Sequence, residues 1–105
     1  MANKDYINYK FLATNIATSG DTTIIPPVAG KKIVVVGCLV IASGIVTVVF
    51  KSDNGAISGN MDLIANSGFS ASNPGGVFVS RVGGPLVLNL SSNIPVGVTL
   101  TYELI

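Results

Sequence analysis

From residue 22 to the C-terminus the chain alternates short apolar runs with clusters of Gly, Pro, Ser, Asn and Asp. None of the runs reads as a helix; the apolar segments have strand length and are bounded by turn residues. Residues 22–25 predict a short strand stopped by Pro26-Pro27, and Ala29-Gly30 turns the chain into a long strand over 32–42. A second long strand, 45–51, ends at the turn Ser52-Asp53-Asn54-Gly55. Residues 56–65 read as a strand kinked near Gly59, 66–76 as a loop, 77–81 as a short strand and 86–90 as another after Gly83-Gly84-Pro85. The last strand, 96–104, puts Val98, Leu100, Tyr102 and Leu104 on one face. The expected fold class is all-β: an antiparallel β-sandwich, jelly-roll-like, of seven to eight strands.

The strands on either side of Ser43-Gly44 are densest in β-branched residues, from Ile33-Val34-Val35-Val36 to Val46-Thr47-Val48-Val49. We expect them to be adjacent and antiparallel, joined at Ser43-Gly44. By simple alternation Ile33, Val35, Leu39 and Ile41 share one face of the first of these strands, and Val34, Val36, Cys38 and Val40 the other. A sheet with one wet side does not need two apolar faces. Val34, Val36 and Val40 are therefore candidates for a subunit interface, with Arg81, the one arginine, as a charged contact across it. The uncharged stretch 33–50 is also long enough to cross a bilayer. Its β-branched content and its breaks at Gly37 and Ser43-Gly44 argue instead for strands, and no basic-then-apolar leader precedes it.

Residues 1–20 differ from the rest. They are more polar and hold Tyr6, Tyr9 and Phe11 among Lys4, Asp5 and Lys10. The expected organisation is an N-terminal arm or irregular first strand over 1–20 and a sandwich domain over 21–105. Lys4, Tyr6, Tyr9, Lys10 and Phe11 are the residues by which an arm would dock on a neighbouring protein, since aromatic rings supply much contact area per residue.

Composition narrows the chemistry. Only 10% of the residues are charged and the net charge is +1, so no attraction to nucleic acid is expected. There is no His and one Cys, which removes the usual proton shuttle, the Ser-His route and a thiolate metal site. No phosphate-binding glycine loop is present. The expectation is a protein that is not an enzyme, with no catalytic residues, cofactor, metal or small-molecule substrate. With 49% hydrophobic residues and few charges, part of its surface should be covered by copies of itself.

Certain stretches have a familiar pattern: Val28-Ala29-Gly30-Lys31-Lys32-Ile33-Val34-Val35, Val46-Thr47-Val48-Val49-Phe50-Lys51-Ser52 after Ser43-Gly44, and Leu63-Ile64-Ala65-Asn66-Ser67-Gly68. Gly83-Gly84-Pro85-Leu86-Val87-Leu88 and Val96-Gly97-Val98-Thr99-Leu100-Thr101-Tyr102 complete it. Over residues 22–105 the chain resembles small β-sandwich proteins of tailed-bacteriophage virions, namely capsid decoration (cement) proteins and related head-fibre domains. The resemblance rests on strand order and turn residues. It implies a homo-oligomer, a trimer, on the capsid surface of the virion, anchored by a terminal arm to the major capsid protein. Two other readings stand beside it: a fibre-tip or carbohydrate-binding sandwich, and a small membrane protein spanning at 33–50. Tyr6, Tyr9 and Tyr102 gathered in one exposed groove would favour glycan binding.

Overall fold

A computed structural model of the chain describes residues 9–105. In chain order the strands are β1 (Lys10–Ile16), β2 (Gly20–Ile25), β3 (Ile33–Ala42), β4 (Val46–Ser52), β5 (Gly55–Ala56), β6 (Met61–Leu63), β7 (Ser67–Ser72), β8 (Phe78–Val79), β9 (Leu86–Leu90) and β10 (Val96–Leu104). No helix occurs among the described residues.

The strands form two antiparallel sheets packed as a sandwich. The first runs β1-β10-β3-β7, with β8 beside the other half of β3; the second runs β2-β9-β4-β5, with β6 also on β4. Setting aside the two-residue β5 and β8, the chain winds between the sheets as two Greek keys, which is the jelly roll. Between the sheets lie Phe50, Val48 and Val46 of β4, Leu86, Leu88 and Leu90 of β9, Val96, Val98 and Leu100 of β10, and Val40 and Val35 of β3. Each such side chain contributes roughly 1.5–3 kcal/mol on leaving water. Phe50 stacks on Phe78, with ring centroids 4.6 Å apart.

The two strands flanking Ser43-Gly44, β3 and β4, sit centrally, as expected, but they are not neighbours. β3 belongs to the first sheet and β4 to the second. The Ser43-Gly44 step is a corner between sheets: Ser43 N–H donates to Pro95 O at 3.0 Å, and Gly44 lies against Ile94. Both strands therefore form core without pairing to each other. Residues 33–50 make two strands and no helix, and no helix among the described residues is long and apolar enough to cross a membrane.

Strict alternation along β3 also needs correction. Against β10, Gly37 pairs with Thr101 and Val35 with Tyr102, so Val36 is an extra residue, a β-bulge. The bulge flips the alternation. Ile33 and Val35 point into the core before it; Cys38, Val40 and Ala42 do so after it, leaving Leu39 and Ile41 outward.

A second correction concerns 66–76. Its Ser- and Gly-rich composition reads as a loop, yet Ser67–Ser72 is β7, paired with β3 from Gly37 to Ala42. Phe69 packs on the core while its neighbours are small and polar, as suits an edge strand with one wet side. Gly68 is required there: a Cβ on it would stand 1.8 Å from Val40 O. Near one end of the sandwich, buried serines satisfy the backbone. Ser80 Oγ accepts from Ile33 N–H at 2.9 Å and donates to Arg81 O, and Ser52 Oγ accepts from Arg81 N–H.

Candidate assembly surface

The outer faces of the two sheets are built from similar strands but differ in chemistry. Across the first sheet the register lines up outward residues in rows from β1 through β10 and β3 to β7. One row is Phe11, Thr101, Gly37 and Ser72; the next is Ala13, Thr99, Leu39 and Ser70; the third is Asn15, Gly97, Ile41 and Gly68. None of these side chains carries a charge. Phe11 is 77% exposed, Leu39 46% and Ile41 44%. Shallow depressions run along the rows, one lined by Gly37, Leu39, Ser70 and Thr99 and another by Asn15, Ile41 and Gly97.

The outer face of the second sheet is polar and cross-linked. Lys51 Nζ lies 3.0 Å from a carboxylate oxygen of Asp21, and Asn89 Nδ2 donates to the other at 2.7 Å. Thr47 Oγ1 donates to Asp62 at 2.6 Å. The hydrogen bond from Asn89, then Lys51, holds the Asp21 carboxyl below its ordinary value.

The residues singled out from the sequence fall as follows. Val40 is fully enclosed in the core, and Val34 and Val36 are buried too, Val34 against the turn at Gly76. These three candidates for a subunit contact are thus occupied within the protomer, because the bulge at Val36 and the returning chain at 76–79 cover that part of β3. The apolar side chains that β3 does offer outward are Leu39 and Ile41. The bulge is the missing signal, and a lone Gly37 inside an apolar strand is the one mark of it in the sequence. Arg81 forms an ion pair with Asp53 at the protomer surface.

Lys4 and Tyr6 lie outside the described residues. Lys10 and Phe11 belong to β1, and Lys10 pairs with Tyr102 of β10. Tyr9 lies at a depression with Val36, Pro74 and Thr101 on the outer side of the first sheet, whereas Tyr102 packs on the core from the inner side. The two tyrosines among the described residues therefore share no groove. Cys38 is buried, and burial pushes its thiol above the ordinary value. A second exposed apolar spot sits at one end of the sandwich, where Ile45 (78% exposed) and Ile64 (64%) flank the paired Val46 and Leu63.

No family model and no curated protein matches the chain. Among solved structures it is similar to a chain of the Bacillus endospore appendages, described as disulfide-linked pili, with TM-score 0.54 and 15% identity over 92% of this chain and 88% of that one. It is also similar to a chain of the virus-like particle of extra small virus from the giant freshwater prawn Macrobrachium rosenbergii (TM-score 0.47, 15% identity, 94% and 79% covered). A third likeness is to the capsid of cyanophage Pam1 (TM-score 0.44, 12% identity, 93% and 84% covered). At these identities the likeness is one of fold.

Proposed function

We propose that this protein is a non-enzymatic structural subunit that works as an assembly of copies, and that it decorates or cements a bacteriophage capsid. The observation that supports it best is the three uncharged central rows on the outer face of the first sheet, beyond which Glu103 of β10 is the next outward residue. Rows holding Phe11, Leu39 and Ile41 without an ionic group lose little on desolvation and gain by being covered. The appendage chain of similar fold belongs to a pilus, so this architecture is used to build extended structures from repeated parts. Disulfide linkage, which that pilus uses, is closed to this chain, because its single cysteine is buried. Its joints are non-covalent.

The mechanism is mass action. A subunit that binds the assembled shell but not its separated parts stabilises the shell, and joined copies multiply weak contacts. Residues 1–8 precede β1 in the sequence and carry Lys4 and Tyr6, the arm residues that attach to the major capsid protein in this reading. The glycan-binding alternative loses support from the separation of Tyr9 and Tyr102 on opposite sides of the first sheet.

Deleting residues 1–8 tests the proposal, since a cut beyond them would remove Lys10 and Phe11 from the β1–β10 ladder. The truncated protein is expected to melt like the full chain while no longer sedimenting with capsids. Failure of the full-length protein to sediment with capsids of its phage would overturn the decoration role.

A further inference from the structure

The edges of the two sheets are treated differently. The second sheet ends in β2, which carries Asp21 and runs into Pro26-Pro27, and on the other side in β5 and β6, two and three residues long, with Asp62 on β6. Short strands, charges and prolines are the usual means of keeping a sheet edge from pairing with another chain. The first sheet has fewer of them: the two-residue β8 beside β3, and Pro74 two residues beyond β7. Its edges are β1, seven residues with Lys10 at the extreme end as its one charge, and β7, the six uncharged residues Ser-Gly-Phe-Ser-Ala-Ser. Neither edge has a further strand beside it among the described residues. On β7, Asn73 N–H donates to Val36 O at 2.8 Å; antiparallel pairs alternate, so the backbone N–H and C=O of Ser70 and Ser72 are directed to the open side.

We propose that a second copy of this chain occupies these edges head to tail, β7 of one copy pairing with β1 of the next. Direction supports it. Successive strands of β1-β10-β3-β7 are all antiparallel, so β1 and β7 run in opposite senses. A neighbour brought alongside in the same orientation lays its β7 antiparallel to β1, and the sheet continues without a break. The row Ala13, Thr99, Leu39, Ser70 then continues into Ser70 of the neighbour beside Ala13, and the uncharged rows become one surface shared by all copies. Such a joint is heterologous: it closes into a ring, of which a trimer is the smallest plausible case, or extends as a filament.

The size of the joint sets its behaviour. A six-residue strand is about 20 Å long and the thinnest dimension of the molecule is 20 Å, so one joint buries roughly 800 Å² in total, below the ~1,200 Å² of a stable pair. An isolated dimer is therefore weak, whereas each copy in a closed ring makes two joints. The inference rests on the self-assembly part of the proposed function and not on capsid binding, so its test uses the purified full-length protein alone.

Ala13→Cys and Ser70→Cys are made separately; both positions are exposed, and the buried Cys38 is left as it is. Thermal melts check that each variant folds. The two are mixed at high concentration with oxidised glutathione as the oxidant and resolved on a non-reducing gel. The expected result is a disulfide-linked pair in the mixture and no linked species from either variant alone. Linkage of one variant to itself would show an isologous joint and overturn the proposal, as would no linkage in the mixture. As a second measurement, Ser70→Pro removes an N–H from the open side of β7 while leaving its ladder with β3, so it should melt like the parent and weaken self-association about tenfold or more. An unchanged association constant in a folded Ser70→Pro protein also overturns it.

Discussion

The outer face of the first sheet and that of the second sit on opposite sides of one core, and each solves the problem of being a surface in a different way. On the second, Asp21, Lys51, Asn89, Thr47 and Asp62 bond to one another, so the face is satisfied within the protomer. On the first, the central rows offer Leu39, Ile41 and Phe11 among Thr, Ser, Gly, Ala and Asn. The difference shows where a chain with few charges spends them. They are absent from the central rows of the first face, where burying an ionic group would cost more than a contact returns.

The sharpest way to break this comparison is to give the central rows of the first face the charges they lack. In the decoration reading, Leu39→Glu combined with Ile41→Glu should weaken co-sedimentation with capsids at least about a hundredfold, while the melting temperature moves by only a few degrees, since both side chains already face water in the protomer. Thr23→Glu on the second sheet is the matched control and should leave co-sedimentation unchanged. Capsid co-sedimentation of the parent and the two variants decides it; equal loss from both faces would erase the distinction.

Next comes the backbone of the first sheet's open edge. Gly68→Ala places a methyl group against Val40 O and Ile41 Cδ1, so β7 must shift away from β3. Urea unfolding should show a loss of about 2 kcal/mol or more, and association should fall with it because β7 no longer presents a straight edge.

The smallest effects belong to the second face. Lys51→Ala should cost under about 1 kcal/mol, the range for surface ion pairs. Asp21 has a lowered folded-state pKa, so its contribution to stability is present above its ordinary value of about 3.9 and is lost as the pH falls through the folded value. Melts from pH 6 down to 2 should therefore show an acid limb that Asp21→Asn reduces. Self-association through β7 and β1, neither of which holds a carboxylate, should not follow that limb while the protein stays folded.

Pattern alone determined a good deal. Short β-branched runs between turn residues can bury their apolar side chains only as strands, and from this the all-β class, the strand at Val96–Leu104, the strand at Leu86–Leu90 and the sandwich itself were legible. The scarcity of charge already pointed to a covered surface. What periodicity cannot hold is which strand pairs with which. Ladder hydrogen bonds come from the backbone and look alike in every strand, so β3 and β4, adjacent in sequence and alike in composition, were free to part into opposite sheets. The same limit hid β7, whose serines pair as well as valines do once Phe69 has a core to face. It also hid which side chains of β3 face outward. One extra residue at Val36 reverses every side chain that follows it on β3, turning Val40 inward and Leu39 and Ile41 outward. A bulge is set by the register between two strands distant in sequence, and that register exists only in the folded sheet.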